Sequence, residues 1–317
     1  MLLRNEVRLE HIQAEYDFRQ QALEHFAKSE SSHLRQEYYG LRTSISPRTY
    51  KEKLAHLDDC TCREAGMWLI EHDTFRDWLD PKKKSTSILW LQGIPGSGHM
   101  PHARKKKRSE LTLLVGKTHL ARIAVYEAQK VGHSLFAFLS YTISSSISAL
   151  SILHSLIFQL TTDNVDLQSI VAHSIGEDFR RDLEVAQGVF KTLLCCAGPV
   201  YISIDGLDEI AVVTRRRILG ILLQFATEID TLRVMISCRP EADLTSLLSE
   251  KCSTVRVNEQ NGGGVQSYIS QRTSSWYEER AFYPEARKEM EALLAPLAEK
   301  SKGIYGYQIA NRELTFN

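Results

Sequence analysis

The sequence predicts an α/β protein, a parallel sheet flanked by helices, and three stretches predict it. An apolar run, Ser87 to Gln92 (SILWLQ), ends in the glycine-rich stretch Gly93-Ile94-Pro95-Gly96-Ser97-Gly98. A second, Pro199 to Ile204, terminates in Asp205, with Asp208 and Glu209 close behind. A third, Arg233 to Cys238, terminates in Arg239-Pro240. Apolar runs with little alternation suit strands covered on both faces, as in parallel sheets, and helical stretches between them supply the crossovers.

The glycine-rich stretch is the centre of the argument. A phosphate-binding loop of the form G-x-x-x-x-G-K-[ST] lets backbone N–H groups curl around an anion, brings a lysine to the β/γ oxygens and gives a hydroxyl to Mg²⁺. Gly93 to Gly98 followed by Lys117-Thr118 completes that pattern, so Gly93, Ile94, Pro95, Gly96, Ser97, Gly98, Lys117 and Thr118 are the candidate nucleotide-binding residues, with Thr118 also a metal ligand. The pattern predicts a P-loop NTPase sheet that takes ATP or GTP with Mg²⁺. It is interrupted by eighteen residues, His99 to Gly116, which carry five consecutive basic residues, Arg104 to Arg108.

Lengthening a six-residue loop to twenty-four costs on the order of 1.2 kcal/mol in closure entropy, which a domain of this size absorbs. The cost to anion binding is expected to be severe, because the cradle relies on consecutive N–H groups feeding directly into a helix. We read the interruption as an untranslated segment kept in the coding frame. Its removal restores the motif without a scar, and Glu110-Leu111-Thr112 can be encoded with an embedded CTAAC, a branch-point-like signal. The alternative is a genuine insertion in a degenerate loop.

Composition sets the outer bounds. The chain has 317 residues and is 43% hydrophobic, enough for a substantial core. Its 39 basic residues balance 39 acidic ones, which argues against nucleic acid as a partner and leaves Arg104–Arg108 as the one basic run that could support it. No apolar run reaches about 18 residues, and the opening MLLRNEVRLE is too charged for a secretory core, so a cytoplasmic protein with no membrane span is expected. The six cysteines show no zinc-ligand spacing.

In chain order, residues 3–42 read as a helical segment, with Leu9, Ile12, Tyr16 and Phe18 at helical spacing, broken at Ser44 to Pro47. A short helix follows around Tyr50, Leu54 and Leu57. From Gly66 to Leu79 a helical rhythm places Trp68, Leu69, Phe75, Trp78 and Leu79 in the core. Thr118 to Lys130 reads as a helix, Leu135 to Ser140 as a buried strand, and Ile147 to Thr161 as an apolar helix whose His154 is an interior residue. Lys82–Lys84 and Arg215–Arg217 read as solvated faces. Asp205, an acid at the C-terminal end of a buried strand, stands where open α/β sheets bind ligands and is a candidate for Mg²⁺. Thr254 to Val257 reads as an edge strand and Asn261 to Gly264 as a break, followed by helical text near 265–273 and 285–300.

The order of these motifs, a Trp-Leu-Ile-x-His-x-x-Phe-x-x-Trp segment, a strand ending in Trp-Leu-Gln-Gly, a Pro-Gly-Ser-Gly loop and the acidic strand, resembles the fungal NACHT and nephrocystin-like N-terminal NTPases, signal-transduction ATPases of the STAND class, over roughly residues 46–305. The resemblance implies a switch that hydrolyses nucleotide slowly and signals by self-assembly or through protein partners. It implies catalytic roles for Asp208 and Glu209, the acidic pair, with Glu209 orienting the attacking water, and for Arg239, which would sense the γ-phosphate. The domains are then expected as a helical segment over 1–60, a NACHT-like NTPase core over 61–243, and the start of a helical lid over 244–317. Relatives continue into repeat arrays, so a truncated C-terminus is expected. A non-catalytic interaction scaffold with a disrupted loop is the competing reading.

Overall fold

The computed structural model describes residues 30–60, 66–83, 86–93, 116–141, 147–173, 177–257 and the single residue 288. The expectations for residues 3–29, for Ile94–Gly98 and Arg104–Arg108, and for everything after residue 257 lie outside the described residues. Five strands, β1 (Ile88–Gln92), β2 (His133–Phe138), β3 (Val200–Asp205), β4 (Leu232–Cys238) and β5 (Ser253–Arg256), form one sheet. Their order is β2-β3-β4-β1-β5, and every neighbouring pair is parallel. This is the α/β, P-loop-like parallel sheet that the apolar runs predict. β3 and β4 are buried at every position, which explains why their sequences do not alternate.

The strand order creates the crevice. From β1 the chain crosses β4 and β3 to reach β2, whereas after β4 it crosses β1 to reach β5. Connections therefore leave the adjacent strands β1 and β4 in opposite directions, the switch point at which open sheets bind ligands outside their carboxyl ends. The register aligns those ends: Gln92 pairs with Cys238, Asp205 with Ser237, and Phe138 with Asp205.

Helices cover the sheet. They are α1 (residues 30–45), α2 (Lys51–Cys60), α3 (Trp68–Glu71), α4 (Asp73–Leu79), α5 (Lys117–Gln129), α6 (Ala149–Thr161), α7 (Val165–His173), α8 (Glu177–Arg181), α9 (Leu183–Cys196), α10 (Val212–Glu228) and α11 (Ala242–Leu248). α1 runs through Ser44 to residue 45, and the break falls at Ser46, whose φ of 48° ends the helix just before Pro47. The rhythm over 66–79 is two short helices with the bend at His72, whose Nδ1 accepts from the Thr74 N–H at 3.2 Å and so caps α4. Phe75 and Trp78 are fully buried, as expected, and Trp78 meets the Tyr201 ring edge-on at 5.4 Å. His154 is also interior: its Nε2 lies 2.9 Å from the Phe179 carbonyl, and burial holds its pKa below the usual histidine range.

The N-terminal helices are fastened to the core by polar contacts as well as packing. The Tyr38 and Thr161 hydroxyls lie 2.8 Å apart, Ser155 donates to the Arg48 carbonyl at 2.7 Å, and Asp58 on α2 bonds both Arg122 (2.5 Å) and the Tyr126 hydroxyl on α5. At the sheet's opposite, N-terminal end, the buried Arg233 donates to the carbonyls of Asp230, Leu232, Pro81 and Lys83 at 2.8 to 3.2 Å, while Tyr201 donates to the Leu79 carbonyl at 2.6 Å.

Candidate nucleotide site

The C-terminal ends of β1, β3 and β4 bring the described candidate residues together. Gly93 follows β1, and its N–H reaches the Cys238 carbonyl at 3.5 Å. Although residues 94–116 intervene in the chain, the Lys117 side chain lies across Gly93, with its ammonium 3.4 Å from the Gly93 carbonyl. A Cβ at position 93 would come within 2.9 Å of Lys117 Cγ and Cδ, so a side chain there would displace the lysine from this position. Lys117 and Thr118 open α5, a 13-residue helix, so its N-terminus lies at the same edge.

Thr118 Oγ1 donates to Asp205 Oδ2 at 2.7 Å, and Ser237 Oγ donates to Asp205 Oδ1 at 2.7 Å. Both carboxylate oxygens are thus held by hydroxyls from neighbouring elements. Burial pushes the Asp205 carboxyl above the usual range. The Ser237 and Thr118 hydrogen bonds, and then the positive charges of Lys53 and Lys117, pull it back only in part. The turn that follows needs Gly206, at φ 78°, because a Cβ there would sit 2.6 Å from the Leu139 carbonyl. The Leu139 N–H bonds the Asp205 carbonyl (2.8 Å) and the Gly206 N–H bonds the Ser237 carbonyl (2.9 Å), which locks the acidic turn between β2 and β4.

Beyond the turn, Asp208 and Glu209 occupy a 3₁₀ turn, Leu207–Glu209, and face different partners. Asp208 is clamped by Arg239: the backbone N–H donates to Oδ1 at 3.2 Å and Nε lies 3.2 Å from Oδ2. Glu209 Oε2 accepts the Tyr141 N–H at 3.2 Å. Burial raises the Glu209 carboxyl, the Tyr141 N–H opposes that, and the charges of Asp205 and Asp208 add to it.

Arg215 is a correction. It is no solvated residue but a buried one, forked onto Asp243 at 2.9 and 2.5 Å and donating to the Asp208 carbonyl at 3.3 Å. Its neighbours Arg216 and Arg217 are exposed, as expected. Its position on the inner face of α10 was not recoverable from a run of three arginines. Sequence reasoning also gave no role to Ser237, two residues before Arg239, nor to the charge of Lys53 or the N–H of Tyr141, which act on the acids from distant parts of the chain.

The donor set fits a Mg²⁺-bound polyphosphate. A carboxylate and a hydroxyl in contact are hard oxygen ligands for a small divalent cation, and an ammonium beside a glycine backbone is a phosphate donor. Asp205, Thr118 and Lys117 supply these groups. Among the described residues no cluster of three or more His, Cys, Asp or Glu side chains could hold a metal ion by itself, so a cation here would rely on bound phosphate and water for its remaining ligands. No helix among the described residues is long and apolar enough to cross a membrane.

Comparison with known proteins gives one result that bears on this geometry. The curated proteins contain no match to the chain. The family model described as nephrocystin 3, N-terminal, matches residues 64–100 and 114–239, just over half of the chain, from the segment before α3 to Arg239 at the end of β4. The match passes over residues 101–113, which lie inside the interruption of the phosphate-binding pattern. The strands carrying Gly93, Asp205 and Arg239 and the helix carrying Lys117 all fall within it, and the chain belongs to the nephrocystin 3 N-terminal domain family.

Proposed function

We propose that this chain is a nucleotide-binding signalling switch of the NACHT type, in the STAND class, which binds ATP or GTP with Mg²⁺ and hydrolyses it slowly to control assembly. The observation that carries the reading is the 2.7 Å contact between Thr118 and Asp205, residues 87 positions apart. It joins the hydroxyl of a phosphate-loop helix to the acid of the neighbouring strand, as shared cation ligation requires. Gly93 to Gly98 and Lys117 hold the phosphates in this scheme, and Thr118 and Asp205 hold the cation. A cation held there would supply charge neutralisation to the phosphates. Glu209, kept above the usual carboxylate range by burial, would orient the water in this scheme. Arg239 is bonded to Asp208 and reads the terminal phosphate by exchanging that partner for phosphate oxygens.

One observation favours a second reading, a non-catalytic interaction scaffold. Residues 99–116 separate Gly98 from Lys117, and the family match omits most of them. The readings separate in an equilibrium titration of fluorescent ATP and GTP analogues with and without Mg²⁺. A switch binds in the micromolar range or tighter with Mg²⁺ and weakens at least about tenfold, roughly 1.4 kcal/mol, in Thr118→Ala. Absence of Mg²⁺-dependent binding both in the chain and in its form lacking residues 99–116 would favour the scaffold.

A further inference from the structure

Asp208 is a buried carboxylate whose direct ion-pair partner is Arg239, with Nε 3.2 Å from Oδ2 and the arginine's own backbone N–H 3.2 Å from Oδ1. If the guanidinium turns to a terminal phosphate, Asp208 keeps the backbone N–H and loses the cation. A buried carboxylate stripped of its partner is costly, so the departure of Arg239 would be opposed unless a second positive charge took its place.

Arg215 on α10 is that second charge. Its Nη1 donates to the Asp208 carbonyl at 3.3 Å, while Nε and Nη2 fork onto the Asp243 carboxylate in the first turn of α11 at 2.9 and 2.5 Å. The nitrogen at Asp208 is thus the one outside the fork, its bond is the longest of the three, and it carries two N–H groups. It can swing from the Asp208 carbonyl to the carboxylate without giving up Asp243. The hydrogen bond to Asp243 raises the Arg215 guanidinium above its ordinary value, burial opposes that, and the charges of Asp243, Glu241 and Asp208 add to it. Exposure divides the two arginines by task. The Arg239 side chain is 20% exposed and has a path to a ligand, whereas that of Arg215 is 9% exposed and stays among the acids. A guanidinium can serve two carboxylates from its different edges, which an ammonium cannot do in a fixed plane.

We propose that Arg215 is the reserve cation of Asp208: it takes up this carboxylate when Arg239 leaves it, and is thereby a positioning residue that sets how strongly the site prefers a triphosphate to a diphosphate. The charge pairing stands on the contacts of Arg215, Asp208 and Asp243, whereas its part in nucleotide selection rests on the switch reading. With Arg239 on Asp208, Arg215 serves Asp243. With Arg239 on phosphate, Arg215 bridges Asp208 and Asp243 and ties the acidic turn more closely to α11.

The first test needs no nucleotide. Arg239→Ala removes the guanidinium from Asp208 and keeps the backbone N–H, so it imitates the departure of the arginine. Urea unfolding then compares Arg215→Met in the parent chain and in Arg239→Ala. A reserve cation makes the loss in the folded-to-unfolded ratio at least about fivefold larger in the Arg239→Ala chain, and adding Asp208→Asn, which removes the charge to be served, abolishes that excess. Arg215→Lys keeps the charge and is expected to fold where Arg215→Met does not, with a smaller excess. Equal losses in both backgrounds make Arg215 a support of α11 alone and overturn the proposal. Titration of the full chain, and of its form lacking residues 99–116, with the Mg²⁺ complexes of ATP and ADP reads the second part. Arg215→Met should lower the preference for triphosphate about tenfold, and Arg215→Lys, or Asp208→Asn added to Arg215→Met, should recover it. A chain that binds nucleotide with a preference indifferent to Arg215 overturns the selection role. Failure of the switch reads differently: no nucleotide binding, with the excess loss in Arg239→Ala intact, removes the switch and leaves the reserve cation in place.

Discussion

Arg233, at the N-terminal end of β4, and Asp205, at the C-terminal end of β3, are both ionisable and both almost wholly buried, at 1% and 4% exposure. The neighbours around them differ in kind. Arg233 donates four hydrogen bonds to backbone carbonyls of the 79–83 and 230–232 turns, so its charge is spread over dipoles that the fold fixes in place. Asp205 accepts two hydroxyls, and its carboxyl remains above its ordinary range. At one end of the sheet the buried ion is held by backbone carbonyls, and at the other a buried carboxyl is held by two hydroxyls that leave it raised. The first arrangement supports the fold, and the second is the one that the proposed nucleotide site uses.

The sharpest way to break this contrast is at Arg233. Arg233→Ala removes one buried and three part-buried hydrogen bonds together with a fully buried side chain, and is expected to lower unfolding stability by about 3 kcal/mol in urea, with an unchanged m-value. A loss below about 1 kcal/mol would show that the N-terminal edge is not held as described.

Asp205→Asn should act with the opposite sign. Because the folded-state pKa of Asp205 lies above that of an unfolded carboxylate, its contribution to stability is present in full below the unfolded value and is lost as pH rises through the folded one. Above the folded value the ionised carboxylate is therefore a burden, which the amide removes. The variant should be at least as stable as the parent near pH 7 and show a flatter fall between acid and neutral pH, as measured by thermal unfolding. It should also lose Mg²⁺-nucleotide affinity by about a hundredfold, roughly 2.7 kcal/mol. A variant less stable than the parent at neutral pH would contradict the account of that edge.

A smaller effect separates support from contact. Arg215→Met breaks the fork to Asp243 and the bond to the Asp208 carbonyl, and should cost about 1.5 kcal/mol. Asp243 is held below the usual carboxylate range chiefly by its hydrogen bond from Arg215, so that part of stability is present above the unfolded value and lost as pH falls. Urea titrations at neutral and acid pH should find the cost of the substitution shrinking in acid. The smallest expected effect is at the bend. His72→Ala removes the cap on α4 and should cost about 0.5–1 kcal/mol, read from the urea midpoint.

The asymmetry between the two ends also explains what the sequence could show. The strands were legible because β1, β3 and β4 are buried on both faces and read as unbroken apolar runs, and the acids and Arg239 were legible because they stand where those runs stop. β2 begins two residues before the expected Leu135, since the exposed His133 and half-buried Ser134 at its start have no strand signature. The helices α7 to α10 were not read individually, because in this stretch amphipathic faces pack on one another and their limits depend on tertiary partners. Arg233 shows why the N-terminal edge stayed hidden: an arginine opening a strand reads as solvated until the turn at Pro81 closes over it. Lys53 stayed hidden for a similar reason, since nothing local to α2 reveals that its first turn lies beside a strand end some 85 residues later.

The most direct test of the central claim compares Mg²⁺-dependent binding of a fluorescent nucleotide by three chains: this one, the same chain without residues 99–116, and that shortened chain carrying Lys117→Ala. The account predicts tight binding by the shortened chain, at least about tenfold weaker binding with residues 99–116 present, and loss of binding without the lysine. Equal binding by all three would contradict it, because the edge around Gly93, Lys117, Thr118 and Asp205 would then not be where the phosphates sit.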